Sequence, residues 1–357
     1  MQLPIPPRVS IIIPVYNAEE FLEECIESIL SQSFPCFEIL FIDDVSVDES
    51  VSIIEEHMSK DTRIHLFKQD KNRGAPSARN RGIRMAKGEF LMFVDADDML
   101  IANCLDELIQ VGDHLLSDAI KGTMLVYNED LKQLKQHSLN QTATYENTNL
   151  SSCSEIQHLY QYQTYLFRTS IIKTNQIEFD TDLKNFQDPT FLSQLLPRCE
   201  RIDVLMAPVY VRRVRTNSII TSDWNLYNYL SMTNGVSRAY STLINNHQEE
   251  TARLMALTFS RWWRKLELTP LLLQRSECME VYRQIRDIAQ TFKHPIYQFT
   301  WTKVGAYHSL KLISEGKLEE AYRKIRARSR LRSDHVVLFV KAVDIATYFY
   351  AKIRNRI

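Results

Sequence analysis

The stretch from Phe90 to Leu100, "FLMFVDADDML", decides how this chain is read. Its first five residues have the composition of a strand buried on both faces, and three carboxylates, Asp95, Asp97 and Asp98, follow at once. Like charges set this close disfavour one another's ionisation, so a cation, a helix terminus or open solvent has to account for them. On an extended segment Asp95 and Asp97 share one side while Asp98 points elsewhere. Asp98 reads as the cap of a helix predicted within "DDMLIANCLDELIQV", where acidic residues favour the first turn. The other two are hard oxygen donors of the kind that hold magnesium or manganese together with substrate phosphates.

Upstream of this stretch, strands and helices alternate. "VSIII" (9–13) is a strand, and in the "PVYNAEEFLEECIESILSQ" that follows, Phe21, Leu22, Cys25, Ile26, Ile29 and Leu30 fall on one helical face. Asn17 and Glu20 have the spacing of a capping box. "FEILFIDD" is a second strand, "SVDESVSIIEEHM" a helix opened by Ser46 and Glu49, "RIHLFKQ" a third strand, and "SARNRGIRMAKG" a helix closed by Gly88. Four strands joined by three helices predict a parallel sheet covered on both faces, because parallel neighbours need crossover connections. Tyr16 and Asn17, Asp43 and Asp44, Asn72 to Gly74, and Asp95 to Asp98 then all stand at strand carboxyl ends, the edge where open α/β sheets bind ligands.

The first turn contains no glycine, which excludes the dinucleotide fingerprint and the phosphate-binding loop. The chain has 357 residues, 45% hydrophobic and 24% charged, the composition of a globular protein with two domains or one large domain and an appendage. Six scattered cysteines without a Cys-x-x-Cys pair suggest neither zinc nor disulfides, and a reducing cytosol fits them. No signal-like leader and no run of about eighteen apolar residues is found, so neither secretion nor a membrane span is expected. After Leu116 the alternation loosens, and from Trp224 the pattern is almost wholly helical, which places a domain boundary near residue 222.

The stretches "VSIIIPVYNAEEFLEECIESILSQ", "FEILFIDDVSVDES" and "NRGAPSARNRGIRMAKGEFLMFVDADD", and more loosely "FDTDLKNFQDPTFLSQLL" and "VYVRRVRTNSI", resemble the inverting family 2 glycosyltransferases, bacterial cell-surface glycan enzymes among them. The resemblance covers roughly residues 8–220. It implies an α/β, GT-A type, Rossmann-like, mostly parallel sheet covered by helices, with a C-terminal helical appendage. The catalytic domain would be 1–222, with a nucleotide-sugar half (8–115) and an acceptor half (116–222), and 223–357 would be the helical region.

The same resemblance implies transfer of a hexose or N-acetylhexosamine from a nucleotide-diphosphate sugar, UDP-linked by expectation, to a hydroxyl of a glycan or lipid-linked acceptor, with Mn(II) or Mg(II). Asp43 would read the base, and Pro14, Tyr16 and Asn17 would shape the base and ribose pocket, with Asp44, Asn72, Gly74 and Ala96 in the same nucleotide-sugar site. Arg79 would stand near the phosphates, Asp95 would contact ribose or metal, and Asp97 would bind metal. Asp188 would be the general base. Arg213, Arg215 and Ser218 would hold the diphosphate or close over it. The chain departs from the family where Gln187-Asp188 replaces Glu-Asp and where Val45 replaces a smaller residue.

Two rival functions remain from the residues: an Asp-nucleophile phosphatase using Asp95, and a degenerate nucleotide-sugar binding module suggested by Gln187. A phosphatase expects Thr or Val two places beyond the second Asp of its Asp-x-Asp, and here Met99 follows Asp98. Net charge is -1, yet residues 323–357 carry ten Lys or Arg against Asp334 and Asp344, a local +8 that leaves -9 for the rest. That basic, amphipathic tail suggests peripheral contact with an anionic membrane on the cytoplasmic side, with packing on the domain or an oligomer contact as alternatives and no role for nucleic acid.

Overall fold

A computed structural model of the chain describes residues 6–137, 142–183, 185–214, 225–252, 273–291, 312–313 and 315–332, with backbone alone over 288–291 and 327–332. The β-branched run Val9–Val15 forms β1. It leads into α1 (Glu19–Leu30), which buries Phe21, Leu22, Cys25, Ile26 and Ile29, the face read from the sequence. β2 (Phe37–Asp43), α2 (Ser50–Lys60), β3 (Ile64–Lys68), α3 (Ala75–Met85) and β4 (Phe90–Phe93) continue the alternation. β1 pairs in parallel with β2 on one side and β4 on the other, and β3 lies outside β2, so the order is β3-β2-β1-β4. The winding therefore reverses at β1, which opens a crevice beyond the strand ends.

The remaining elements widen the sheet. They are β5 (Met99–Leu100), α4 (Cys104–Leu115), β6 (Ala119–Asn128), β7 (Gln133–Gln136), β8 (Tyr145–Thr148), β9 (Tyr165–Arg168), α5 (Thr169–Thr174), α6 (Gln187–Leu195) and β10 (Ile202–Val214). Beyond β4 the order is β9-β6-β10-β5, with β7 on β6 and β8 on β10. The long ladders are parallel, including β6 with β10, while the antiparallel pairings made by β5, β7, β8 and β9 are short. This is the mostly parallel, helix-covered sheet that the sequence implies.

Strand alternation divides the core between two faces. Ile11, Ile13, Ile39, Phe41 and Met92 pack with Leu22 and Ile26 of α1, Ile54 of α2 and Leu108 of α4. Their neighbours Ile12, Leu40, Ile42, Leu91 and Phe93 pack with Ala78 of α3 and Phe191 of α6. α3 lies so close to β1 that a Cβ on Gly82 would stand 2.3 Å from Ile12 Cγ2. On that face the cluster also takes in Tyr229, Val236 and Tyr240 of α7 (Leu226–Asn245), Tyr282 and Ile285 of α8 (Arg275–Thr291), and Ile325 of α9 (Leu318–Arg332). The boundary near residue 222 and the tail beyond residue 332 lie outside the described residues, among which no helix is long and apolar enough to cross a membrane.

Several local expectations are corrected. α1 starts from Ala18 without a side-chain cap, because Asn17, at φ 49°, turns its Oδ1 to the Val47 N–H instead of to its own helix. α2 starts at Ser50, and Ser46 accepts the Asn17 N–H rather than opening that helix. α3 ends at Met85, and Gly88 donates its N–H to Ser10 Oγ in the turn beyond. Met99 and Leu100 form a strand against β10 and the helix starts only at Cys104, so Asp98 caps nothing.

Candidate functional site

The loops at the carboxyl edge hold one another in place. Asp43, at the end of β2, accepts the N–H groups of Val45 and Ser46, and Val45 adopts φ 66°, a left-handed conformation costly for a β-branched residue. Asp44 Oδ1 accepts the Gln69 amide and the Arg73 N–H, and its Oδ2 accepts the Gly74 N–H at 2.6 Å. Both oxygens of this buried carboxylate thus shape the third loop. Gly74 there takes φ +83° just before α3, a conformation that favours glycine. Pro14 pairs with Ile42 inside the sheet, whereas Tyr16 is 54% exposed and Asn72 is exposed, both on the crevice side of their strands.

The charged centre lies between α3, the end of β4 and α6. Arg79 of α3, buried, donates from Nη2 to Asp95 Oδ1 at 2.5 Å and from Nη1 to Gln187 Oε1 at 2.8 Å. Its guanidinium also lies over the rings of Tyr162 and Phe179, at 5.3 and 5.5 Å from their centroids. Gln187, likewise buried, passes its Nε2 hydrogen to the Leu183 carbonyl. Asp188, beside it in the first turn of α6, accepts the Gln161 N–H at 2.8 Å. Burial raises the Asp188 carboxyl above the ordinary value, and the nearby Asp95 charge adds to this against the opposing pull of the Gln161 N–H and Arg79. An ion pair, an amide and a raised carboxylate in one crevice mark a candidate functional site.

β10 grips the acidic loop from below. The Tyr210 hydroxyl donates to Asp98 Oδ2 and accepts the Asp95 N–H, the Arg213 N–H binds Asp98 Oδ1, and the Arg213 Nε binds the Asp97 carbonyl. Arg213 is also paired with Glu24 and Glu129. Both terminal nitrogens of its guanidinium thus have protein partners, Glu129 at Nη1 and Glu24 at Nη2. Ala96 is buried under the loop, and Arg215 and Ser218 lie outside the described residues.

Asp95 and Asp97 are both half-buried on the crevice side. Among the described residues no three His, Cys, Asp or Glu side chains converge on one point. A divalent cation at these two carboxylates would therefore draw its other ligands from phosphate oxygens and water, the usual coordination of magnesium. The donor set fits that chemistry.

Sequence reasoning missed Gln161, Tyr162, Gln163 and Tyr210. Gln163 Nε2 donates to Asp95 Oδ2 at 3.0 Å, so the segment before β9 reaches the same acid as Arg79. The available signal was "YQYQTY", two glutamines interrupting an apolar, aromatic run.

Comparison with protein families matches residues 10–174 to the family described as Glycosyl transferase family 2. Among curated proteins, the uncharacterized glycosyltransferase EpsJ of Bacillus subtilis is 30% identical over 217 residues, 60% of this chain and 63% of EpsJ. The poly(ribitol-phosphate) beta-N-acetylglucosaminyltransferase TarS of Staphylococcus aureus is 31% identical over 207 residues, 57% of this chain and 35% of TarS. The matched parts are thus less than two thirds of either relative. Among solved structures, S. aureus TarS 1–349 in complex with UDP-GlcNAc superposes with a TM-score of 0.73 at 23% identity, covering 91% of this chain and 92% of that one. That likeness is one of fold, the GT-A type.

Proposed function

We infer that the chain is a member of Glycosyl transferase family 2, the family whose model matches residues 10–174. From that premise we propose an inverting transferase that moves a hexose or N-acetylhexosamine from a UDP-sugar to a hydroxyl of a glycan or lipid-linked acceptor. The observation that carries the reading is the junction of Arg79, Asp95, Gln187 and Asp188 at the switch-point crevice. It unites a site for a phosphate-bearing donor with a carboxylate base. The activities of two relatives, a beta-N-acetylglucosaminyltransferase and a beta-glucosyltransferase acting on poly(ribitol-phosphate), support the sugar class and a polymeric acceptor.

In this reading Tyr16, Asn17 and Asp43 receive the nucleoside, and Asp188 takes the proton of the acceptor hydroxyl. The acceptor oxygen then bonds to the anomeric carbon, the bond from that carbon to the diphosphate oxygen breaks, and the electron pair leaves with the nucleoside diphosphate. Attack from the opposite face inverts the anomeric configuration. Asp97 and Asp95 would hold Mn(II) or Mg(II), which would supply neutralising charge for the departing diphosphate. Arg79 orients Asp95 from the protein side.

The test is release of UDP from a panel of UDP-sugars in the presence of Mn(II), with the product's anomeric configuration read by proton NMR. Release from a particular sugar, with inversion on transfer, supports the reading. UDP binding without turnover of any donor, with or without candidate acceptors, would instead make the chain a nucleotide-sugar binding module, the reading that Gln187 favours.

A further inference from the structure

Three consecutive residues, Gln161, Tyr162 and Gln163, each touch a different charged group of the crevice. The Gln161 N–H binds Asp188, the Tyr162 ring lies under the Arg79 guanidinium, and the Gln163 amide donates to Asp95. Gln161 caps, and Tyr162 and Gln163 begin, a short helical turn (Tyr162–Thr164) just before β9, the antiparallel strand inserted between β4 and β6. The turn is thus anchored to the sheet between β4 and β6.

This turn is held in a costly shape. Leu159 and Gln161 take φ 51° and 65°, left-handed values that only surrounding contacts maintain for residues other than glycine. Those contacts are present: Leu159 and Tyr162 are buried in the core, and the buried Gln161 side chain hydrogen-bonds His137 Nδ1 at 2.8 Å. Gln163 alone of the three is only half-buried, with its amide against the acid.

We infer that Gln163 is a positioning residue for the donor: it fixes the Asp95 carboxylate from the side opposite Arg79, and its turn couples that acid to the base Asp188. The two Asp95 oxygens are held separately, Oδ1 by Arg79 and Oδ2 by Gln163, so the plane of the carboxylate is set before any donor arrives. A carboxylate oxygen accepting one hydrogen bond keeps lone-pair capacity for a ribose hydroxyl or a cation. Loss of the Gln163 amide would free the carboxylate to rotate about the Arg79 contact. The base, held through a main-chain N–H, would keep its place. The inference rests on the transferase reading given above.

The experiment compares the full chain with Gln163→Met, which keeps length and removes the donor, and Gln163→His, which returns an N–H donor. UDP binding in Mn(II) is measured by calorimetry, alongside kcat and KM for the UDP-sugar and the thermal midpoint without ligands. The expected result for Gln163→Met is weaker UDP binding and a higher donor KM by about tenfold or more, as for residues that orient metal ligands. Its kcat at saturating donor and its midpoint should stay close to the wild type, and Gln163→His should recover most of the binding. A merely structural role would lower the midpoint without separating KM from kcat. Wild-type UDP binding equalled by Gln163→Met would overturn the inference alone. Absence of UDP binding by the wild type would overturn the transferase reading and this inference with it.

Discussion

Tyr210 and Asp98 are joined by a 2.7 Å hydrogen bond across 112 residues of sequence, and the same hydroxyl accepts the Asp95 N–H at 3.1 Å. The bond ties the acidic loop after β4 to the middle of β10, so the second half of the sheet determines where the first half presents Asp95 and Asp97. Tyr210→Phe keeps the buried ring and leaves Asp98 and the Asp95 N–H each short of a partner. The expected loss is about 1–3 kcal/mol of stability by denaturant titration. Turnover of the UDP-sugar should fall with it, and the concentration of Mn(II) giving half-maximal rate should rise. Unchanged metal dependence would confine Tyr210 to packing.

Asp97→Asn tests the cation directly. An amide is a poor ligand for a hard divalent ion, so turnover in Mn(II) should fall by about two orders of magnitude or more. The wild type treated with chelator should fall to a similar rate, and chelator should have little further effect on the variant. Full activity of Asp97→Asn in chelator would remove the metal from the mechanism.

Asp188→Asn should separate stability from function. Burial raises the Asp188 carboxyl above its ordinary 3.8, so the folded chain holds a proton there more tightly than the unfolded chain. That preference stabilises the fold fully below pH 3.8 and is lost as pH rises through the raised value. At neutral pH the ionised, half-buried carboxylate is therefore a burden, which Asn relieves while still accepting the Gln161 N–H. Asp188→Asn should melt higher than the wild type near pH 7, and the difference should vanish in acid. Sugar transfer should fall by about 10²–10⁴-fold with UDP binding retained. A fall in UDP affinity as steep as the fall in transfer would place Asp188 on the donor instead.

The strands and helices through Phe93 were legible because each buries one face with its own periodicity, and β1 to β4 need only their own residues to be recognised. The carboxyl edge followed from that alternation, which is why Asp43 and Asp95 could be named in advance, whereas Asp188 came from the family resemblance. What was not legible depended on partners far along the chain. Asp98 looks like a helix cap from its neighbours alone, yet Tyr210 and Arg213 claim it. Asn17 looks like half of a capping box, yet the Val47 N–H takes its side chain. Gln163 carries no local sign of its target, because β9 reaches β4 only through antiparallel insertion into the sheet.

Gln187→Glu concerns the departure from the Glu-Asp pair. Gln187 serves two partners of opposite kind, accepting from Arg79 through Oε1 and donating to the Leu183 carbonyl through Nε2. A carboxylate satisfies the first and opposes the second, setting two oxygens against each other in a buried position. It also adds a negative charge directly beside Asp188, which pushes that carboxyl further up. The acid limb of the transfer rate should therefore move to higher pH. Stability should fall at neutral pH and recover in acid, where the introduced carboxyl, once protonated, can again donate to the Leu183 carbonyl. Transfer measured across the neutral range and a few units to either side, with melting curves at each pH, checks both parts. An unmoved acid limb in a stably folded variant would show that residue 187 does not tune the base, and the amide would then matter only for holding Arg79 and the Leu183 turn together.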